Sequence, residues 1–210
     1  MKFKFLFLSL TVVLFTTLSS SFTIHYSPFT IHPPTPKGSS TTSPLGSGDS
    51  PLPWREYKSF DGKFRVVVPE GEMTEKVSKI KTAVGELPYH TFLNRPKEKI
   101  PENVFYLVNY CDYPKGTFHP DSTELIDEFM TTTIESSAKS VGGSVTYSGD
   151  IQQLSSKGKI WRVQYNNDRA LIKSKCFLVG DRFYMIQTMM LREKAVNPSA
   201  DKFLDSFQFF

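Results

Sequence analysis

The sequence predicts an α+β domain in which an antiparallel β-sheet is flanked by one long and one short helix. Three observations predict this class: paired strand patterns before residue 115, one long amphipathic segment after it, and four further strands that precede a short final helix. The chain has 210 residues, enough for one domain with additional segments. Its 39% hydrophobic content, with 18 Phe, supports a folded core.

The first part of the predicted domain consists of strand patterns joined by turn residues. SFDGKFRVVVP predicts a hairpin with Asp61-Gly62 as its turn pair, because both residue types tolerate positive φ. EKVSKIKTAVGELPYHTF predicts a second hairpin that breaks at Gly85. NVFYLVNYCDY, from Asn103 to Tyr113, is apolar on both faces. A strand of this kind is typical of the centre of a sheet that is covered on both sides.

The segment HPDSTELIDEFMTTTIESSAKSVGG predicts the long helix. Asp121 is the predicted N-cap, with Glu124 as its capping-box partner, and Gly142-Gly143 ends the helix. The expected buried stripe comprises Leu125, Ile126, Phe129, Met130, Ile134, Ala138 and Val141.

The remainder predicts a β-meander followed by the short helix. Its strand segments are SVTYSGDIQQL, KIWRVQYNN, RALIKSKCFLVG and DRFYMIQTMML. Turn residues between them lie at Lys157-Gly158, at 166–168 and at Gly180-Asp181. Asn197-Pro198 then caps a helix whose apolar stripe is Ala200, Phe203, Leu204 and Phe207.

Residues 1–21 predict a signal peptide. MKFK is a short positive region, Phe5–Leu18 is uncharged and apolar, and Ser19–Ser21 offers small residues for cleavage after Ser21. The alternative is an uncleaved membrane anchor at residues 5–24. The predicted signal peptide leads us to expect export of the chain to a periplasmic or extracellular location.

Residues 22–53 predict a disordered linker rich in Pro, Ser and Thr, which leaves 54–210 as a single domain. The linker begins with the repeat FTIH, at 22–25 and again at 29–32. Its two histidines have no Asp, Glu or Cys beside them, so the repeat is interpreted as part of a spacer and not as a metal site.

Charge argues against a nucleic-acid partner. The formal net charge is +4, and two of the positive residues, Lys2 and Lys4, belong to the predicted signal peptide. The predicted domain therefore lacks the basic surface that binding to phosphate backbones requires.

Few residues suggest a reaction centre. No HExxH, GxSxG, CxxC or phosphate-binding loop is present, and no catalytic residue, cofactor site or metal site is predicted. The candidates for a non-local site are Cys111, Asp112 and His119, whereas His90 is expected to be a strand residue. Two cysteines, Cys111 and Cys176, permit a disulfide in an oxidising compartment, or they are buried free thiols.

Several segments resemble exported bacterial domains of the PsbP-like superfamily. They are the runs at 54–69, 82–85, 106–114 and 178–187, and FLDSF at 203–207. The resemblance, which extends in fold to a Ran-binding nuclear transport factor, implies a central antiparallel sheet flanked by helices. It also implies an accessory or partner-binding role. Photosystem-associated members assist an ion cofactor, but none of their functional residues can be matched here.

These observations predict an exported, non-catalytic binding or accessory module of the cell envelope, presented on a flexible tether to a protein partner. A membrane contact is expected only if residues 5–24 remain as an anchor. Two alternatives stay open. One is a small hydrolase or thiol enzyme with a non-local active site. The other is a carrier of a small ligand, held between the long helix and the sheet.

Overall fold

A computed structural model describes residues 53–210. The predicted signal peptide and all but the last residue of the predicted linker lie outside the described residues. The elements in chain order are β1 (Trp54–Ser59), β2 (Phe64–Pro69), β3 (Gly71–Thr82), β4 (Gly85–Pro96), β5 (Phe105–Asp112), α1 (Thr123–Ser140), β6 (Ser144–Gln153), β7 (Ser156–Tyr165), β8 (Ala170–Val179), β9 (Arg182–Leu191), a 3-10 turn (Arg192–Lys194), α2 (Pro198–Ser206) and β10 (Gln208–Phe209).

A seven-stranded antiparallel sheet forms the centre of the domain, in the order β3-β4-β5-β9-β8-β7-β6. Strand β5 lies inside it, and every residue from Phe105 to Cys111 is buried. The prediction of a central strand covered on both faces is confirmed. The predicted α+β class with an antiparallel sheet and two helices is confirmed as well.

Helix α1 covers one face of this sheet. Its apolar stripe packs against side chains that point from β5, β7, β8 and β9 to the same side, because alternate strand residues face opposite sides of a sheet. This core contains Ile126, Phe129, Met130, Ile134, Ala138, Ile80, Tyr89, Cys111, Trp161, Val163, Ile172, Cys176, Phe183 and Met185.

The opposite face is covered by a second, three-stranded sheet and by α2. The small sheet has the order β1-β2-β10, so the first hairpin packs across the large sheet and does not extend it. Its core contains Phe64, Val66, Val68, Phe92, Tyr106, Val108, Tyr110, Phe177, Tyr184, Ile186, Phe203, Leu204 and Phe207. The domain therefore has two hydrophobic cores, one on each face of the central sheet.

The first hairpin turn differs from the prediction. It spans residues 60–63, and the residue with positive φ is Lys63 (φ 50°), not Asp61 or Gly62. Gly62 is required for space: a Cβ there would lie 2.7 Å from the Phe64 ring. Asp61-Gly62 thus correctly predicts the position of the turn, but the prediction that these two residues adopt positive φ is wrong.

Two further boundaries are corrected. The β6–β7 turn lies at Leu154-Ser155, where Leu154 has φ 53°, whereas Gly158 lies inside β7. A Cβ on Gly158 would lie 2.3 Å from the carbonyl oxygen of Cys176, so this glycine permits close strand packing. Helix α1 has Ser122 as its N-cap residue, not Asp121, and no side chain caps it.

The start of α2 is confirmed as predicted. The side chain of Asn197 accepts a hydrogen bond from Ala200 N at 2.7 Å, and Pro198 occupies the first helical position. Asn197 is itself buried and contacts Asn103, which fixes α2 to the loop before β5.

Candidate functional site

The two cysteines are buried free thiols. Cys111 lies on β5 and Cys176 on β8, with β9 between them. Neighbouring strands are about 4.8 Å apart, so two strand spacings separate the cysteines, beyond the roughly 7 Å limit between Cα atoms that a disulfide requires. The structure therefore does not support the bridge between Cys111 and Cys176 that the sequence permits.

Burial also makes both thiols poor nucleophiles. It raises the pKa of Cys111 to about 12 and that of Cys176 to about 12, because a thiolate would lose its hydration in the core. A nucleophilic cysteine needs the opposite shift, toward neutral pH.

A thiol titration should show two reactive groups only after unfolding. We expect dithionitrobenzoate to react with neither Cys111 nor Cys176 in the native protein at neutral pH, and with both in denaturant without reductant. Two thiols missing in denaturant would show a disulfide. Rapid reaction of one thiol in the native protein would show an exposed nucleophile.

The structure does not bring the three candidates for a non-local active site together. Cys111 points into the core beneath α1. His119 lies on the loop before α1, mostly exposed, with Nδ1 3.4 Å from Asp121 Oδ2. Asp112 is engaged by Arg182. Among residues 53–210, no base therefore stands beside the Cys111 thiol.

A different group of side chains meets on β4, β5 and β9, next to the first hairpin turn. The His90 ring stacks on Tyr110, with centroids 4.3 Å apart and planes at 7°. The guanidinium carbon of Arg182 lies 4.7 Å from the centroid of the same Tyr110 ring. Partial burial of His90 lowers its pKa, and the positive charge of Arg182 acts in the same direction, while Asp112 opposes it.

The lowered pKa of His90 predicts a pH dependence of stability. The unfolded chain binds this proton more strongly than the folded protein, so the free energy of unfolding should fall as pH drops from about 7.5 to 5.5. His90→Gln should remove part of this slope in urea unfolding experiments. An unchanged slope in His90→Gln would contradict the assignment to His90.

Arg182 connects the first hairpin turn to the large sheet. Its Nη2 donates to Asp112 Oδ2 at 2.7 Å, its Nε donates to the other oxygen of that carboxylate, and its Nη1 donates to the Asp61 carbonyl at 2.9 Å. Tyr184 adds a hydrogen bond from its hydroxyl to the Gly62 carbonyl at 2.8 Å. All three donor groups of Arg182 are thus engaged within the protein.

Replacing Arg182 should loosen this turn. We expect Arg182→Ala to lower the free energy of unfolding by about 2 kcal/mol, since the lost bonds are charged and the guanidinium is mostly shielded from solvent. Arg182→Lys keeps the charge without the planar fork and should recover only part of the loss. Lys79→Ala breaks an exposed ion pair with Glu86 and should change stability by less than ~0.5 kcal/mol. Equal effects of Arg182→Ala and Lys79→Ala would contradict this role of Arg182.

The surface next to Arg182 is aromatic and basic. We call it the hairpin end, and it comprises Lys58, the turn at 60–63, Phe210, the β8–β9 turn at 180–181 and the segment 112–116. Phe60 is 74% exposed and Phe210 57% exposed. A cleft of about 390 Å³ lies beside the Phe210 ring. Its lining comprises Lys63, Asp112, Tyr113, Val179, Asp181, Arg182, Tyr184, Phe209 and Phe210.

A second cleft, of about 440 Å³, lies between α1 and the tip of the β6–β7 hairpin. Met130 and Ile126 form its apolar side, and Asp127 and Lys157 contribute charge. It corresponds to the place where the ligand-carrier alternative expects a pocket.

The residues that the structure describes contain neither a metal-binding cluster nor a membrane-spanning helix. Within 53–210, no three His, Cys, Asp or Glu side chains gather closely enough to hold a metal ion. Neither helix in this part of the chain has the length and apolar character needed to span a bilayer.

Comparison with known proteins finds similarity among solved structures. No family model matches the sequence, and no curated protein matches it. The chain is similar to the solution structure of cyanobacterial PsbP (CyanoP) from Synechocystis sp. PCC 6803, with a TM-score of 0.49 and 14% identity. The similarity covers 80% of this chain and 100% of that chain.

Proposed function

We propose that this chain is an exported, non-catalytic binding or accessory module of the cell envelope, and that its hairpin end makes the functional contact. Residues 22–53 act as the tether that presents the domain. The expected partner is a protein, and no cofactor is required.

The observation that carries this proposal is the exposure of Phe60 and Phe210 beside a firmly fixed turn. Large apolar side chains at one solvent-facing end are typical of a surface that binds something. Arg182 and Tyr184 hold the turn to the sheet, which limits the entropy that binding would cost.

The positions of the cysteine and histidine side chains also support the proposal of a non-catalytic role. Cys111 and Cys176 are buried, and His119 stands apart from both. The rival small hydrolase or thiol enzyme needs a nucleophile beside a base. Within residues 53–210, neither Cys111 nor Cys176 contacts a base.

The cleft between α1 and the β6–β7 hairpin favours a second candidate function, that of a small-ligand carrier. Its lining combines apolar side chains with Asp127 and Lys157, which suits a ligand with both apolar and polar parts.

Affinity capture tests the binding role. The chain would be used as bait in the envelope fraction of its own cell, with Phe60→Ser as the test variant and Val196→Ser, at another exposed position, as control. We expect a partner retained by the original chain and by Val196→Ser and lost with Phe60→Ser. Retention by all three baits would exclude the hairpin end as the contact.

Complementation tests the absence of catalysis. His90→Ala, His119→Ala and Cys111→Ser should each restore function in a host where deletion has a phenotype. Loss of function in one folded, exported variant would favour the enzyme.

Export itself predicts a mature N-terminus near Phe22, whereas a chain that starts at Met1 and stays with membranes would indicate the anchor.

A further inference from the structure

We propose that the hairpin end docks on the surface of an anionic lipid bilayer, with Phe60 and Phe210 entering the interface between head groups and acyl chains. The inference rests on the proposed role as a binding module and names a further partner for the same surface.

The two exposed rings form one protrusion. Phe210 N donates to the Lys63 carbonyl at 3.1 Å, which places the end of β10 beside the first hairpin turn. Lys58 Nζ lies 4.8 Å from the centroid of the Phe60 ring and 4.8 Å from that of the Phe210 ring. The rings therefore stand side by side with an ammonium group next to both.

Lysines at the hairpin end carry uncompensated charge. Lys58, Lys63 and Lys115 are exposed, and none forms an ion pair with another residue of the described chain. Asp61 is the exposed acid of the turn, and Asp181 keeps its negative charge because only neutral backbone amides bind it, so these three positive groups face two negative groups.

The other two carboxylates of the hairpin end are already engaged. Asp112 is bound by Arg182. Asp181 accepts hydrogen bonds from Gly116 N at 2.8 Å and from Phe118 N at 2.9 Å. The remaining positive charge complements anionic head groups, which attract basic residues near a bilayer surface.

Two neighbouring turns repeat the combination of an apolar tip and an unpaired lysine. Val84 lies in the β3–β4 turn after Lys81, and Leu154, 78% exposed, lies in the β6–β7 turn before Lys157. Strand pairing places both turns at the same end of the sheet as the β8–β9 turn. Apolar tips interspersed with lysines therefore recur in several turns at this end.

The shape of the hairpin end also suits contact with a bilayer surface. Protein interfaces draw most of their energy from side chains that fill fitted, desolvated pockets. Phe60 projects from a turn and Phe210 from the end of β10, as interfacial anchors do, and lysines flank them, so that apolar burial and electrostatic attraction act together.

The described chain begins at the end of the domain opposite to the proposed contact. The chain enters at Pro53, whose carbonyl accepts from Glu70 N at 2.9 Å, close to where β2 ends. That position is the opposite end of the β1–β2 hairpin from the turn at 60–63. Residues before 53 therefore join the domain away from the proposed contact.

A site-specific fluorophore tests the docking in the full chain. Phe60→Cys would be labelled with the polarity-sensitive dye NBD. The labelling is selective because Cys111 and Cys176 are fully buried. The matched control is Val196→Cys, since Val196 is 98% exposed at the other end of the sheet. Both proteins would be mixed with phosphatidylcholine vesicles, with or without one third phosphatidylglycerol.

We expect NBD emission at position 60 to rise, and to be quenched by quencher-bearing lipids, only with the phosphatidylglycerol vesicles. The label at position 196 should remain unchanged. Any contact of residues 1–52 with the vesicles affects both proteins equally, so the difference reports on the hairpin end. Equal responses at the two positions, or no response at position 60, would overturn the proposal.

The charge contribution is tested in the labelled Phe60→Cys protein. Lys58→Ala and Lys63→Ala should each raise the phosphatidylglycerol vesicle concentration at half-saturation about fivefold, since a lysine near such a surface contributes ~1 kcal/mol. Lys99→Ala, away from the hairpin end, is the control and should have no effect. No shift with Lys58→Ala or Lys63→Ala would exclude charge-assisted docking.

The results also separate this inference from the proposed function. If position 60 does not enter lipid but Phe60→Ser still loses a captured protein, the bilayer inference is wrong and the binding module stands. If position 60 does not enter lipid, Phe60→Ser loses no captured protein, and His90→Ala or Cys111→Ser abolishes function, the binding-module proposal is wrong too.

Discussion

Replacing Phe207 with alanine is expected to lower the free energy of unfolding by about 3–5 kcal/mol. Phe207 follows α2 and is buried, with its ring 5.5 Å from Tyr184, 5.7 Å from Phe64 and 6.1 Å from Phe177 between centroids. These partners come from the small sheet and from two strands of the large sheet. The cavity would therefore open where the small sheet and the last helix meet the large sheet.

Chemical denaturation with fluorescence or circular dichroism measures this loss. Phe210→Ala is the matched control, because its ring is exposed and its removal should change stability by less than ~0.5 kcal/mol. If Phe207→Ala were as mild as Phe210→Ala, the last residues would not pack on the sheet as described.

The sequence predicted those elements whose chemistry is local. Asn166, Asn167 and Asp168 form the turn between β7 and β8, and all three have positive φ, which Asn and Asp tolerate. Gly180 likewise adopts φ 60° between β8 and β9. The apolar periodicity of α1 needed no tertiary information either, because a helix that packs on a sheet must present one apolar face.

The division into two sheets could not be predicted in this way. Strand β10 has only two residues, and Gln208 pairs with Arg65 far away in the sequence. Alternation along β1 and β2 shows that the strands exist but not which strands they pair with. Their placement across the face of the large sheet depends on contacts such as Phe64 with Phe92, which no local pattern encodes.

The candidate site shows the same limit. The sequence offers Asp112 only as a candidate for a non-local active site, and its partner Arg182 lies seventy positions further along the chain. Tyr110 was correctly expected in the central strand, but its contacts with His90 and Arg182 arise from strand order. The short sequence separation of Cys111 and His119 instead suggests a contact between them, which is wrong because Cys111 faces the core beneath α1 and His119 lies on an exposed loop.

In the core between α1 and the large sheet, Trp161 joins strand β7 to the helix. Trp161→Ala should cost about 3–5 kcal/mol of unfolding free energy, because the ring is almost fully buried and its removal leaves a large cavity. Its Nε1 also donates to Ser137 Oγ at 2.8 Å, and Ser137 Oγ donates to the Ile134 carbonyl at 2.7 Å.

A double-mutant cycle separates the hydrogen bond from the packing. Ser137→Ala alone leaves the buried indole N–H without its acceptor and should cost about 1–3 kcal/mol. Trp161→Phe should cost less in the Ser137→Ala background than in the original chain, with a coupling of about 1 kcal/mol, since the orphaned donor is then gone. A coupling near zero would show that the indole contributes through packing alone, and a mild Trp161→Ala would contradict the placement of α1 over this strand.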